Sequence, residues 1–375
     1  MAIYFVVLFG SLLLCFANAV VAQKTVAVQN SKLAFLQKNG LYILACLLIV
    51  GVSALRATDL GIDLYMYEDA FSHYASGELY GLQNNGVVGP NVFYKFELLN
   101  RLYIVLIAYF TSDFGVYVMV TSLVMLVPVL WVMKKENPDN LYLWLGLLAL
   151  LGSYYAISFS IVRYGMAVVC CIVAYYLLDK PNKKGWAYAF LVFAVLFHTT
   201  AIILAAAVAL FGYSYKRWVY GLIIGGSTFL FLMHKPLFQF MMYLLRDTKY
   251  NIYSDMLAGG LTFAPNNIML FTIMTALCLY YREKLLQANK KNQILINMMI
   301  FMLVFNVFYT WLPEYGRICF SFEMFLMFLL PAVLACESRK QVRLGYSAFF
   351  LVYYTYIFYN RLGINKIVPY RAFWQ

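Results

Sequence analysis

The chain has 375 residues, of which 64% are hydrophobic and only 12% charged, and its formal net charge is +12. Soluble domains carry about 25% charged residues because water must wet their surface, so this composition excludes a soluble globular protein. Apolar runs of the length that crosses ~30 Å of hydrocarbon recur along the chain, without room for a soluble domain between them. We therefore expect an all-α, polytopic membrane protein in which residues 1–375 form one integral membrane domain.

The hydropathy pattern predicts roughly 11–13 membrane segments, some of them re-entrant or broken. The first segment lacks the positively charged start of a secretory signal and is interpreted as an uncleaved span. In chain order the candidate segments are 1–22, 41–55, 102–110, 115–133, 141–158, 161–178, 186–211, 219–233, 268–281, 294–311, 318–334 and 346–359.

Lys and Arg residues collect in a subset of the loops, which the positive-inside rule assigns to the cytoplasm. These basic loops lie near residues 134–135, 180–184, 216–217, 282–291 and 339–343. The rule assigns two longer loops, about 56–91 and 234–265, to the external side. Because no aromatic and basic binding module accompanies the positive charge, we do not expect a nucleic acid partner.

Two segments do not fit a simple alternation of sides. If the segment 102–110 crossed the membrane completely, the basic loop at Lys134 would lie on the external side. We therefore expect this segment to be re-entrant. The segment 186–211 lies between two basic loops, so we expect it to break near His198. Irregular backbone at membrane depth requires protein or a wet cavity around it, which predicts a cavity on the external side. For the C-terminus, the span count favours the outside and the charge favours the cytoplasm.

Ionisable side chains near the membrane are the candidates for function, because they are costly there. Arg56, Arg163 and Arg317 are all predicted on the external side, where positive charge is not the default. Arginine binds phosphate oxygens with a planar fork, so these residues indicate an anionic, phosphorylated substrate. A snorkelling interface arginine is the alternative for Arg163, and an ion pair with Glu314 is the alternative for Arg317.

Other ionisable residues have structural interpretations. A lone histidine such as His198 is more often a satisfied core residue than a functional one. Glu323 is expected to pair with another polar group. Glu97 and Arg101 are four residues apart, which favours an ion pair along one helix.

The sequence contains no nucleotide-binding loop, no nucleophile elbow and no zinc-binding motif. Its seven cysteines lie in apolar segments without metal-ligand spacing, and we interpret them as free thiols. We therefore expect no metal and no cofactor. Energy for a reaction must come from the substrate or from a gradient.

Several short motifs, in order and spacing, resemble the EpsG-like branch of the Wzy-type bacterial polysaccharide polymerases. The resemblance covers most of the chain. The chain departs from the family pattern at Leu64 and Tyr164, where the family often has Tyr and Gln. The residues that carry the resemblance are Arg56, Gly61, Asp63, Tyr67, Arg163, Ala167, Phe197, His198, Ala201, Pro313, Arg317, Pro369 and Tyr370.

The resemblance implies an enzyme of the bacterial cytoplasmic (inner) membrane that joins oligosaccharide repeat units carried on undecaprenyl pyrophosphate. Arg163 and Arg317 would then neutralise the departing pyrophosphate, and His198 or Asp63 would accept the proton of the attacking hydroxyl. Arg56 would hold a phosphate or order the external loop. Besides the lipid bilayer, the implied partners are a chain-length regulator and a flippase. The remaining substrate-binding residues would be Tyr67, Tyr164 and Tyr370.

Two other functions are compatible with the same features. A transporter or flippase for lipid-linked sugars also needs membrane spans, arginines and aromatic residues, but such proteins frequently contain internal repeats, which this sequence lacks. An O-antigen ligase uses the same donor with a different acceptor.

Overall fold

The computed structural model of the protein describes residues 1–24, 32–76, 96–137, 141–233, 236, 239–240, 243, 265–306 and 315–374. These residues form helices joined by short turns, and the described part of the chain contains no β-strand, only an isolated bridge between Arg56 and Ala372. The predicted all-α class is confirmed.

The described residues of the first half form nine α-helices, interrupted by short π-helical and 3₁₀ turns. Helices α1 (Ala2–Phe5) and α2 (Ser11–Lys24) are joined by a π-helical turn, Val6–Gly10. A second π-helical turn, Leu151–Tyr155, and a 3₁₀ turn, Ile157–Phe159, follow α7. The other helices are α3 (Lys32–Ala54), α4 (Leu64–Ala75), α5 (Leu98–Phe110), α6 (Phe114–Glu136), α7 (Leu143–Leu150), α8 (Val162–Leu177) and α9 (Lys184–Phe197).

The second half begins with a 3₁₀ turn, Thr199–Ala201, that leads into α10 (Ile202–Leu210). The described helices that follow are α11 (Arg217–Leu232), α12 (Pro265–Tyr280), α13 (Arg282–Ala288), α14 (Asn292–Phe305), α15 (Tyr315–Glu323), α16 (Leu326–Cys336) and α17 (Lys340–Ile364).

The helices pack into two compact units. One unit comprises Met1–Ala205 together with Glu323–Gln375, and the other comprises Ala206–Phe322. In the first unit α8 packs against α9 and α6, and α2 packs against α3. In the second, α14 packs against α12 and α11. The single integral membrane domain stays a prediction.

Two helical stretches among the described residues are long and apolar enough to cross a membrane, Ala2–Gln23 and Phe114–Glu136. The bent pair Tyr315–Glu323 and Leu326–Cys336 is a third if it counts as one span. Shorter apolar helices make up most of the rest, which is consistent with an all-α membrane protein containing broken segments. Helix α5, for example, has 13 residues and is only about 20 Å long, less than the ~30 Å of a bilayer core. Its re-entrant path stays a prediction.

The predicted break near His198 is confirmed. Helix α9 ends at Phe197, and His198 adopts an extended conformation with φ −158° and ψ 121° before the next 3₁₀ turn begins. The Thr200 hydroxyl lies 2.9 Å from His198 Nδ1 in the turn that follows the break.

Parts of the two predicted external loops lie outside the described residues. They are residues 77–91 of the first loop and nearly all of 234–264 in the second. Pro313 and Glu314 lie outside the described residues as well, so the proposed pair between Glu314 and Arg317 stays a prediction.

The C-terminal tail returns to the chain just after α3. The backbone N–H of Ala57 donates to the carbonyl of Arg371 at 2.8 Å, and that of Phe373 donates to the carbonyl of Leu55 at 3.0 Å. An ion pair between Arg371 and Asp59 lies beside these bonds. The tail therefore lies at the same end of the first unit as Arg56, whichever side of the membrane that end faces.

The core of the first unit contains an ion pair between Glu323 and Arg361. Arg361 Nη2 donates to Glu323 Oε2 at 2.6 Å, and its Nη1 donates to the carbonyls of Gly152 and Ser153. These bonds join α17 to the π-helical turn Leu151–Tyr155. The expected structural partner of Glu323 is thus confirmed. All seven cysteines are free thiols, as predicted.

Candidate functional site

Arg163 is the second residue of α8, where its charge does not help the helix. A cation in the first turn opposes the helix dipole, at a cost of about 0.3–1 kcal/mol. The backbone N–H of Arg163 donates to the Tyr67 hydroxyl at 3.2 Å, which satisfies one of the helix's free N–H groups. The position of this arginine therefore needs a reason other than helix stability.

The guanidinium of Arg163 is only partly paired. Nη1 donates to Glu97 Oε2 at 2.8 Å, and Cζ lies 4.5 Å from the centroid of the Phe96 ring. Nε is buried and has no hydrogen-bond partner among the described residues. A buried donor left unpaired costs about 1–3 kcal/mol. In the described part of the chain, a buried Nε without a partner is also found in three other arginines, Arg56, Arg101 and Arg282. The feature particular to Arg163 is that this incompletely paired guanidinium is 20% exposed and contacts Glu97, which lies beside His198.

Glu97 precedes the first turn of α5, and its carboxylate reaches two other elements. Besides Arg163, it contacts the turn after α9, where Oε1 accepts from the Thr199 N–H at 3.4 Å and lies 4.0 Å from His198 Nδ1. Glu97 is the N-cap residue of α5, and its carbonyl accepts from the Arg101 N–H at 3.1 Å, but its side chain makes no ion pair with Arg101 among the described residues. The carboxylate pairs with Arg163 instead, and the interpretation as a helix pair is wrong.

His198 is buried, with 8% of the residue exposed. Its Nδ1 accepts from the Thr200 N–H at 3.3 Å and lies 2.9 Å from the Thr200 hydroxyl. Because Nδ1 accepts, the neutral imidazole carries its proton on Nε2. The fully buried Tyr164 packs edge-on against the imidazole, with ring centroids 5.1 Å apart.

Tyr67 contacts both Arg163 and Phe96. Its ring packs on Phe96 at 5.3 Å, and burial raises the pKa of its hydroxyl, which therefore stays neutral. Two predicted catalytic residues, two predicted substrate-binding tyrosines and two unexpected neighbours thus meet in one place. We name this group the Arg163 cluster: Tyr67, Phe96, Glu97, Arg163, Tyr164 and His198.

Arg56 lies in a separate and closed environment, with 1% of the residue exposed. Its Nη1 donates to the Ser53 carbonyl at 2.6 Å and to Ser122 Oγ at 2.7 Å, and its Cζ lies 4.3 Å from the Phe159 centroid. Burial lowers the pKa of the guanidinium to about 10, which leaves it charged at neutral pH. Of the two roles implied for Arg56, these contacts favour ordering of the neighbouring loop.

The Gly61–Asp63 stretch connects that loop to α4. Gly61 has φ +137°, and a Cβ atom there would lie 2.2 Å from the carbonyl oxygen of Phe159, so only glycine fits. Asp63 precedes the first turn of α4 without capping it and is half-buried. The close approach of the Phe159 backbone therefore explains why a glycine is needed at position 61 of the Gly61-x-Asp63 motif.

Tyr370 belongs to the C-terminal tail. Its hydroxyl donates to the Val52 carbonyl at 3.1 Å, and its ring packs edge-on against Tyr4 at 5.7 Å. Burial raises the pKa of this hydroxyl. These contacts anchor the tail, and sugar binding by Tyr370 stays a prediction.

Arg317 belongs to the second unit, in the first turn of α15, where it is half-buried. Its place beside Arg163 on the substrate stays a prediction. Within the described ranges of the chain, no three His, Cys, Asp or Glu side chains are arranged to hold a metal ion.

The sequence profile of the EpsG family matches residues 39–372. The chain belongs to the EpsG family. No curated protein and no solved structure gives a significant match. Members of the EpsG family are similar to Wzy-type polymerases, which supports a membrane protein with a polysaccharide polymerase type of role. The matched region contains all members of the Arg163 cluster, so these residues belong to the EpsG region of the chain.

Sequence reasoning did not assign a functional role to Phe96 or Glu97. Glu97 is more than 60 residues from Arg163 and about 100 from His198 in the chain, so no local pattern connects them. The signal that was present is an acidic residue directly before an apolar helix.

Proposed function

We propose that this protein is a polysaccharide polymerase that joins undecaprenyl-pyrophosphate-linked oligosaccharide repeat units. It acts as a multi-pass protein of the bacterial cytoplasmic membrane, with the Arg163 cluster on the external face. The positive-inside rule supports this orientation, because it assigns the Lys- and Arg-rich loops to the cytoplasm.

One observation carries the proposal: the half-paired guanidinium of Arg163, whose buried Nε lacks a partner among the described residues, beside a buried imidazole. A phosphate oxygen would satisfy this donor with a charge-assisted hydrogen bond. Partial burial strengthens such a contact relative to water. The cluster therefore combines an anion-binding group with a group able to move a proton.

These two groups match the requirements of transfer from a lipid pyrophosphate. The acceptor hydroxyl forms a bond to the anomeric carbon of the donor glycan, and the bond from that carbon to the pyrophosphate oxygen breaks. His198 takes the hydroxyl proton, and Arg163 stabilises the negative charge that develops on the departing undecaprenyl pyrophosphate. The donor is already activated, so the reaction needs no nucleotide. Asp63, half-buried at the start of α4, is the alternative base.

The neighbouring residues support these two. Tyr67 holds the backbone of Arg163, and Tyr164 fixes the plane of the imidazole. In this proposal Arg317 provides a second positive charge for the pyrophosphate, and Arg56 keeps the loop after α3 ordered.

The test uses purified protein in liposomes with lipid-linked repeat units as the only added substrate. We expect a ladder of products that differ by one repeat unit. A flippase would form no new bond, and a ligase would act only when a different acceptor is supplied. Either of these results would overturn the proposed function.

A further inference from the structure

Glu97 is the only residue of the Arg163 cluster that contacts both of its reactive groups. Its Oε2 lies 2.8 Å from Arg163 Nη1, and its Oε1 lies 4.0 Å from His198 Nδ1. The Glu97 side chain is only 16% exposed, so water screens these contacts only partly. Glu97 also makes no capping bond within its own helix. Its carboxylate is therefore committed to the cluster.

The contacts of His198 reveal a problem for its role as a base. Its Nδ1 accepts from the Thr200 N–H, so Nε2 carries the proton and cannot accept another. To act as a base through Nε2, the imidazole must hold its proton on Nδ1. A carboxylate beside Nδ1 stabilises that tautomer, and it stabilises the imidazolium formed when Nε2 takes a proton.

We propose that Glu97 is a positioning residue that couples occupancy of Arg163 to the tautomer of His198; this inference rests on the proposed function. Without a donor, Glu97 pairs with Arg163 and His198 holds its proton on Nε2. When the donor pyrophosphate binds Arg163, the Glu97 carboxylate moves closer to Nδ1 of His198. The imidazole proton then transfers from Nε2 to Nδ1. Nε2 then accepts the proton of the attacking hydroxyl, so the base becomes active only when the leaving group is in place.

The surroundings of His198 leave Glu97 as the acidic group for this role. The turn after His198 packs against α8 and α9, and α5 packs against α9. At the ends near His198, α5 carries Glu97 and Arg101, and α8 carries Arg163 and Tyr164. Tyr67 lies behind Arg163. Glu97 is the one carboxylate in this set, and the arginines would act in the opposite direction on the imidazolium.

The first experiment measures the tautomer directly, with full-length protein in nanodiscs. The chain has three histidines, so [¹⁵N]histidine labelling gives few signals, and the His198→Gln variant assigns them. Inorganic pyrophosphate is the probe, and its ³¹P signal reports binding. We expect pyrophosphate to convert Nδ1 of His198 from an acceptor to a protonated nitrogen in the wild type and not in Glu97→Gln. Glutamine keeps the shape of Glu97 and an oxygen that accepts from Arg163.

The outcomes separate this inference from the proposed function. Pyrophosphate that binds without changing Nδ1 in the wild type, or that changes it equally in Glu97→Gln, would overturn the coupling and leave the anion site intact. Absence of pyrophosphate binding by the wild type would overturn the anion role of Arg163 and the coupling with it.

The second experiment measures polymerisation against pH. A base must be neutral to act, so the rate rises as pH passes the pKa of His198. Loss of the Glu97 charge removes a group that favours the imidazolium, which moves the acidic limb of the profile to lower pH. We also expect the plateau rate to fall by about 10²-fold. A lower plateau with an unmoved limb would mean that Glu97 is merely structural. Glu68→Gln, at an exposed carboxylate on α4, is the control and should match the wild type in both respects.

Discussion

Replacement of Arg163 by lysine keeps the positive charge and removes the planar fork. In the structure the guanidinium donates to Glu97, stacks on Phe96 and retains a buried donor for substrate. A lysine ammonium at this point satisfies Glu97 or a phosphate, but not both with the same geometry. The loss is at least one charge-assisted hydrogen bond, worth about 1.5–3 kcal/mol. Because each 1.36 kcal/mol is a factor of ten in rate, we expect Arg163→Lys to lower the polymerisation rate by about 10- to 100-fold.

Alanine at the same position removes the charge as well. We expect a loss of about 10²–10³-fold, the range found when one preorganised donor to a developing anion is deleted. This variant also leaves the Glu97 carboxylate without its arginine, so its membrane abundance must be measured beside its activity. In cells that contain only Arg163→Ala, at normal abundance, single repeat units should still be delivered and the polymer ladder should be lost.

The assay is the initial rate of repeat-unit linkage by purified protein in liposomes. Arg217→Lys is the matched control, because Arg217 is 74% exposed and pairs with Glu283 on the surface of the second unit. It should match the wild type, since exposed pairs contribute little. A wild-type rate for Arg163→Lys, or equal losses for lysine and alanine, would refute the reasoning and return Arg163 to a snorkelling role.

Two further predictions concern stability. Gly61→Ala should lower the melting temperature of the purified protein strongly, because the added Cβ would lie 2.2 Å from a carbonyl oxygen and φ is +137°. The backbone strain alone is on the order of 1–3 kcal/mol. Gly185→Ala is the control: an added Cβ there meets nothing within 4 Å, so the melting temperature should stay unchanged or rise slightly. Glu323→Gln should also lower the melting temperature, because it leaves the Arg361 charge buried without its carboxylate, a loss of about 3–5 kcal/mol in fully buried pairs and less here, where Arg361 is 18% exposed. The exposed Glu283→Gln is its control, and equal melting temperatures for the two glutamine variants would contradict the role of the buried pair.

The class of the protein and one of its breaks could be read from the sequence. Composition is a sum over the chain, so the low charge fraction indicates a membrane protein without knowledge of any contact. The break at His198 followed from the distribution of lysines in the flanking loops, since a continuous segment would have placed one basic loop on the wrong side. The motif residues Tyr67, Arg163 and His198 were also found, although nothing in the sequence showed that they meet.

The roles inside the Arg163 cluster needed the tertiary structure. The spacing of Glu97 and Arg101 favours a helix pair, but in the structure the Glu97 carboxylate pairs with Arg163, a residue far away in the chain. Arg56 was grouped with Arg163 by residue type, yet its burial among serines and Phe159 gives it a different environment.

The sequence by itself determined that the chain is helical, belongs in a membrane and carries arginines suited to an anion. These properties depend on residue type and on short-range periodicity, which are local. Only the tertiary structure decided which arginine lies beside the histidine, which carboxylate faces the histidine and where the C-terminal tail docks. Those facts depend on contacts between residues far apart in the chain, and such contacts are fixed by the packing of whole helices.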